Sequence, residues 1–268
     1  MPLSDPVPVE PERAVRTVHA ALDGGANLLD TADAYCPDSD VGHNERLVDR
    51  ALRGRRDGVL VATKGGHTRP GGRWELDGRP EHLRAACEAS LRALQTDRID
   101  LYQFHRPDPA VPFAESVGAL AELRAEGKVR FVGLSNVSVE QLEEAEAITP
   151  IDAVQNELSP GFLGPLARGE VRACEQRGIP YLAWSPLGGV GAGREAPGGI
   201  PAVRAAAERR GVSPQAVTLA WLRALSPAVL PIPGSSRPET AAASMAAAAL
   251  ELGRDELDAI DDALGARA

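Results

Sequence analysis

The sequence predicts an α/β protein built as a (β/α) barrel of the TIM type. Three observations carry that expectation. Short apolar runs alternate with amphipathic segments along almost the whole chain, which is the pattern of a parallel sheet covered by helices. Seven successive runs are followed at their C-terminal ends by polar or aromatic groups, where a barrel of this kind gathers its active site. The glycine-rich GxGxxG turn that an open dinucleotide-binding sheet places after its first strand does not occur there.

In chain order, the periodicity places a first helix over 10–23 and a first strand over 27–30, the short apolar run NLLD. A helix over 44–52 leads to the run at 58–63, which ends in VLVAT just before Lys64. A helix over 80–94 then precedes the strand IDLYQF at 99–104, ahead of His105. Next come a helix over 113–126, stopped near Gly127, and the strand VRFVGL at 129–134, ahead of Ser135 and Asn136. Ser138 and Gln141 are spaced as a capping box for a helix over 138–147. Strands over 151–155 and 179–184 flank a helix over 169–177 that Gly178 would close. The spacing then lengthens to two helices, 201–210 and 214–225, before a last strand at 229–232 and two tail helices within 238–264. The stretch LGGVGAGREAPGG (187–199) is glycine-rich, but at this length it reads as a loop rather than a hinge, so residues 1–268 are expected to form one domain.

Composition narrows the function. With 268 residues, 43% of them hydrophobic and 25% charged, the chain has enough apolar material for a large core. A net charge of -9 and a pI near 5.2 argue against nucleic acid or an anionic membrane as partner, since both call for basic patches. There is no secretory leader pattern and no apolar run of about 18 residues, so the expected location is cytoplasmic. Cys36, Cys87 and Cys174 are widely spaced and include no CxxC pair, which indicates neither a disulfide framework nor a zinc site.

Taken singly, the polar residues at the strand ends have structural readings. A histidine before Arg-Pro is commonly packed or capping, and a lysine after a strand is commonly solvated. Their convergence on one barrel mouth favours chemistry. Tyr35 has an ordinary pKa of about 10, so at neutral pH it gives up its proton reluctantly. A Lys64 ammonium nearby would stabilise the phenolate and lower that pKa, Asp30 would hold the lysine, and His105 could hydrogen-bond the same substrate oxygen. Such a group protonates an oxygen as it becomes an alkoxide, which is one half of a carbonyl reduction. Asp33, in the same stretch, reads as a turn or capping residue.

At this point the sequence closely resembles the aldo-keto reductase superfamily. The matching segments are LDTADAY (29–35), NERL (44–47), VATKGG (61–66), LYQFHRPD (101–108), GKVRFVGLSN (127–136), VQN (154–156), AWSPLG (183–188) and IPGSSRPE (232–239), in the family's order along nearly the whole chain. The resemblance implies a (β/α)8 barrel and an NADPH-dependent reductase with Asp30, Tyr35, Lys64 and His105 as catalytic tetrad and Tyr35 as general acid. It implies that Ser135, Asn136 and Gln155 hold the nicotinamide carboxamide, that Trp184 stacks on the ring, and that Ser185, Leu187 and Gly188 meet the pyrophosphate. Gly234, Ser235, Ser236 and Arg237 resemble the family's grip on the 2'-phosphate, which favours NADPH over NADH, and a guanidinium suits that dianion.

Two departures qualify the match. Thr240, Ala243 and Ser244 stand where the family usually has a glutamine-like residue and Glu-Asn, so adenine contacts, Ser244 among them, would be weakened. The family's N-terminal hairpin and first barrel strand are also lacking, since Met1-Pro2-Leu3-Ser4 leads straight toward the first helix. Strands 27–30 and 229–232 would then present unpaired edges. A natural start further upstream, cover from the first residues or from a second subunit in a homo-oligomer, and adaptation to a role without hydride transfer all stay open. So do two other functions: acid-base chemistry without redox, as in a dehydratase or cyclase, and a nucleotide-binding regulatory subunit without turnover. The loops 37–41, 67–78 and 187–199 would shape the pocket, with Trp74 as substrate wall or loop anchor.

Overall fold

The computed structural model describes residues 2–5, 7–189 and 197–266; residues 190–196 of the glycine-rich loop lie outside them. The strands are β1 (Leu28–Asp30), β2 (Leu60–Gly65), β3 (His67–Thr68), β4 (Glu75–Leu76), β5 (Ile99–Phe104), β6 (Val129–Ser135), β7 (Ala153–Glu157), β8 (Tyr181–Trp184) and β9 (Val229–Pro231). The helices are α1 (Pro11–Asp23), α2 (His43–Leu52), α3 (Pro80–Ala93), α4 (Phe113–Ala125), α5 (Val139–Glu146), α6 (Gly164–Ala167), α7 (Glu170–Arg177), α8 (Pro201–Arg210), α9 (Pro214–Ala224), α10 (Pro238–Ala246) and α11 (Arg254–Leu264). Seven strands form one parallel sheet in the order β1-β2-β5-β6-β7-β8-β9, and β3 pairs with β4 as a separate antiparallel hairpin.

Alternation along the strands divides the core in two. Tyr102, Phe104, Val132, Leu134, Val154, Tyr181 and Ala183 pack under the helices in the main cluster. Ala62, Leu101, Ala153 and Leu182, with Leu28, Phe131 and Ile232, make a smaller cluster of their own. Two residues further along the same strands, and so on the same face, come Asp30, Lys64, Gln103 and Gln155. The register is staggered, with Asp30 beside Ala62, Lys64 beside Gln103, Gln103 beside Gly133, and Ser135 beside Gln155, and the hydrogen bonds of Asp30 to Lys64, Gln103 and Gln155 show that the four still meet. A polar layer therefore sits on an apolar one at the C-terminal end of the sheet.

Helix ends follow local chemistry. Glu10 accepts from the backbone N–H groups of Glu12 and Arg13 at 2.8 and 2.9 Å, ahead of Pro11 at the first turn of α1. Ser138 and Gln141 form the expected capping box, and Gly178 ends α7 in the left-handed conformation. The hairpin β3–β4, the four-residue α6 and the 3-10 turns at Pro70–Gly72, Pro197–Gly199 and Ala247–Ala249 were not legible, being too short to show a period. The second, fifth and sixth predicted strands begin two residues later than expected, at Leu60, Ala153 and Tyr181.

Among the described residues no pairing joins β9 to β1, so the barrel is open where the family's first strand would stand. The helix layer continues across this seam, because α1 packs against α2 on one side and α10 on the other. The approach is close: a Cβ on Gly24 would lie 2.7 Å from Met245 Cβ. Leu3 and Val9 join α1 and α2 in a small cluster with Ala14, Val18, Leu47 and Ala51. Ser4 Oγ accepts from Asn44 Nδ2 at 2.7 Å, Asp5 pairs with Arg69 at 2.9 Å, and the Pro2 ring lies against Gly234. The leading residues thus reach from the loop after β9 to the loop after β2. No described helix is long and apolar enough to cross a membrane.

Candidate active site

The four residues expected from different strand ends come together. Lys64, at the end of β2 and fully buried, donates from Nζ to Asp30 Oδ2 at 2.7 Å, to the Thr31 carbonyl at 2.8 Å and to Tyr35 Oη at 3.2 Å. His105 follows β5 and meets the Tyr35 ring edge-to-face, with centroids 5.6 Å apart. Its backbone N–H donates to Gly65 and its carbonyl accepts from Asn136 Nδ2, both at 2.9 Å. The imidazole is buried, and its Nδ1 has no hydrogen-bond partner.

Electrostatics assigns each group a state. Burial acts downward on Lys64, but Asp30 and Tyr35 outweigh it and hold the ammonium above its ordinary value. Burial pushes the Tyr35 phenol up, and the downward pull of Lys64 does not cancel it. The expectation that Lys64 would leave Tyr35 with a lowered pKa is therefore corrected: the pull is there, but the desolvated phenol stays protonated to higher pH. Burial, then the Lys64 charge, drives His105 well below the usual histidine range, so the ring is neutral at neutral pH.

The carboxylate that anchors Lys64 is itself held by two amides. Asp30 Oδ1 accepts from Gln155 Nε2 at 2.8 Å and Gln103 Nε2 at 3.3 Å. Gln103 did not figure among the expected residues. Its sequence signal is a polar residue on the inward face of β5, two positions after Leu101.

Over Tyr35 and His105 sits the β3–β4 hairpin. His67 meets His105 at 4.5 Å and Trp74 at 5.1 Å between centroids, and Trp74 lies 6.3 Å from Tyr35. Arg69 fixes this roof: it donates to the Ala34 carbonyl at 3.0 Å and to Gly72 at 3.1 Å, and its guanidinium stacks on Trp74 at 4.2 Å. Trp74 is thus packed as a loop anchor, with its ring partly exposed beside Tyr35 and His105.

Behind Tyr35 lies a second buried polar group. Asp33 accepts from the Ala34 N–H at 2.5 Å, as a turn residue would. It is also buried, and burial followed by the nearby Glu45 carboxyl pushes it well above the carboxylate range. Glu45, raised by burial too, accepts from Thr63 Oγ1 at 2.6 Å, and Thr31 donates to Asn44 at 2.8 Å.

The residues expected to hold a nucleotide fall into three sets, with Ser244 beyond them. Ser135, Asn136 and Gln155 lie with the tetrad: Asn136, at φ 60°, donates from its side chain to Ser135 Oγ at 3.0 Å and from its backbone N–H to Gln155 O at 3.0 Å. Trp184, Ser185, Leu187 and Gly188 follow β8. There Trp184 Nε1 is buried without a partner, Ser185 is left-handed at φ 50°, and Gly188 N–H donates to Ser185 O at 2.9 Å. Gly234, Ser235, Ser236 and Arg237 follow β9; Ser235 Oγ bonds Arg237 N and O at 3.1 and 2.8 Å, and exposed Arg237 faces Glu239 at 3.6 Å. Ser244 is on α10, in the helix that follows Arg237.

Comparison with known proteins accords with this geometry. The Aldo/keto reductase family model matches residues 3–264. An uncharacterized oxidoreductase of Schizosaccharomyces pombe is 33% identical over 256 residues, covering 95% of this chain and 80% of that protein. The solved glycerol dehydrogenase of Gluconobacter oxydans matches with a TM-score of 0.82 at 28% identity, over 95% of this chain and 85% of that one. An aldo/keto reductase of Klebsiella pneumoniae, solved with NADP and acetate, matches with a TM-score of 0.80 at 29% identity, over 94% and 85% of the two chains.

Proposed function

The chain belongs to the aldo-keto reductase family, and from that premise we propose that it reduces an aldehyde or ketone to an alcohol with NADPH, Tyr35 giving the proton. Membership of this family, with oxidoreductase relatives and one solved with NADP, makes it an NADP-dependent oxidoreductase. The observation that carries the finer reading is the buried chain Tyr35–Lys64–Asp30, with bonds of 3.2 and 2.7 Å, under the neutral ring of His105.

The residues present suit the nucleotide. The hydrogen bonds made by the Asn136 and Gln155 side chains use their amide nitrogens, which leaves the side-chain oxygens as acceptors for a carboxamide N–H2. Trp184 supplies an aromatic face, the backbone around Ser185 and Gly188 suits a pyrophosphate, and Arg237 suits the 2'-phosphate. When bound, NADPH supplies the hydride. Lys64 donates to Tyr35 Oη, so the phenol hydrogen is left pointing to the substrate oxygen and the developing phenolate is stabilised. His105 and Tyr35 orient the carbonyl from two sides, and the hairpin roof limits water.

Replacing Tyr35 by Phe keeps the ring contacts and removes the proton. Carbonyl reduction, followed by NADPH absorbance over a panel of aldehydes and ketones, is expected to fall about 100-fold to 10,000-fold while NADPH still binds. A wild-type rate in Y35F would remove Tyr35 from the role, and turnover without nucleotide would move the site to acid-base chemistry.

A further inference from the structure

Gln103 is an inward amide standing directly above an apolar layer that includes Leu101, Ala153, Leu182 and Phe131. A fully buried amide in that setting is destabilising unless it is hydrogen-bonded, and its bonds lead to Asp30. Nε2 donates to Asp30 Oδ1 at 3.3 Å, and Oε1 receives Gln155 Nε2 at 3.4 Å. Gln155 Nε2 is thereby shared between Asp30, at 2.8 Å, and Gln103. Space for this arrangement comes from Gly133, the register neighbour of Gln103 on β6. A Cβ there would lie 2.9 Å from Gln103 Cγ, 3.2 Å from the Ala153 carbonyl and 3.2 Å from Leu101 Cδ1.

We propose that Gln103 is a positioning residue: by holding Gln155 Nε2 on the Asp30 side, it leaves Gln155 Oε1 turned to the nicotinamide carboxamide. This rests on the reading of Gln155 as a carboxamide ligand given above. A carboxylate accepts only, and Asp30 is largely buried, so its Oδ1 needs a protein donor in every state of the site. Gln155 Nε2 has two hydrogens, and with one on Asp30 Oδ1 and the other on Gln103 Oε1 its side-chain oxygen is the atom left for the carboxamide N–H2. Gln103 also donates to the same Asp30 oxygen through its own Nε2, so it fixes which way round the Gln155 amide sits while keeping Asp30 turned to Lys64. Gly133 acts through Gln103 by keeping its path to Asp30 open.

The test is nucleotide affinity, read by fluorescence quenching with two probes: NADPH, and 2',5'-ADP, which has the phosphorylated adenosine end but no nicotinamide. In Gln103→Leu the dissociation constant for NADPH is expected to rise about 5-fold to 20-fold, the equivalent of one hydrogen bond to a charged group, with 2',5'-ADP changed by less than about 2-fold. Gly133→Ala, which keeps the amide but pushes it off Asp30, is expected to do the same and covers the case in which Q103L fails to fold. NADPH binding at the wild-type level in either folded variant, or equal loss of both probes, overturns the proposal. Should the wild-type protein bind neither probe, the functional reading itself falls and takes this one with it.

Discussion

On the side of β1, β2 and β5 the reactive groups are buried and bonded to one another: Lys64 is fully enclosed with three acceptors around its ammonium, and Asp30 takes donors on both oxygens. On the side of β8 and β9 the groups assigned to the nucleotide are partly exposed, follow left-handed backbone at Ser185 and Gly188, and are joined mostly by short local bonds. The first side is preorganised for charge that develops during a reaction, where rigidity lowers reorganisation. The second, on the reading proposed above, would receive a charged molecule from water through loop backbone and one guanidinium. On that reading the protein would divide its work between holding a proton and capturing a ligand.

The sharpest way to break the contrast is Lys64→Met. It leaves Asp30 enclosed without its counter-ion, which is expected to lower stability by about 3–5 kcal/mol and carbonyl reduction by about 100-fold to 10,000-fold. Denaturant melts and NADPH-coupled rates check the two together, and a variant with normal stability would show that the tight side is not one unit. Arg237→Ala probes the open side. NADPH affinity should fall about 10-fold to 100-fold with NADH affinity and melting temperature unchanged; a drop in melting temperature instead would make Arg237 structural and erase the division.

The smallest effect, and one with a pH signature, is expected from Asp33→Asn. Asp33 has a folded pKa above its unfolded value, so the folded state holds its proton while the unfolded chain has lost it. Its contribution is fully present below about pH 4 and is lost as pH rises toward the folded value. The substituted amide can still accept the Ala34 N–H through its oxygen and carries no proton to lose. The variant is expected to melt a few degrees above wild type at pH 8, roughly 2–4 °C per kcal/mol for a chain of this size, with the gain shrinking toward pH 4. A pH-independent difference would place an ordinary carboxylate at residue 33.

How far the sequence disclosed this division depends on length scale. All seven barrel strands were legible, because runs such as VLVAT and VRFVGL are long enough to show burial on both faces. Asp30, Tyr35, Lys64 and His105 were legible because each closes or closely follows such a run. The β3–β4 hairpin was not: two residues per strand carry no period, and its position over His105 depends on Arg69 reaching Ala34 across 35 residues. Gln103 was passed over as part of an apolar run, since nothing local tells that the position opposite it, Gly133, is hollow. Nor does sequence weigh desolvation against the Lys64 charge, which is why the direction of the Tyr35 shift emerged only with burial in view.

The seam between β9 and β1 has a mechanical consequence. Elsewhere round the ring, neighbouring strands are laced by backbone hydrogen bonds, but among the described residues this joint has no strand pairing and is bridged by the packing of α1 on α10 and by the leading residues between Gly234 and Arg69. Strain applied to the ring will collect there, and β1, with Asp30 at its tip, is the stave beside it. The bonds from Gln103 on β5 and Gln155 on β7 to that same carboxylate run across the lumen from the stiff wall to the loose one. They work as a tie-rod, so that a ring with a compliant joint still keeps the distance from Asp30 to Lys64 fixed.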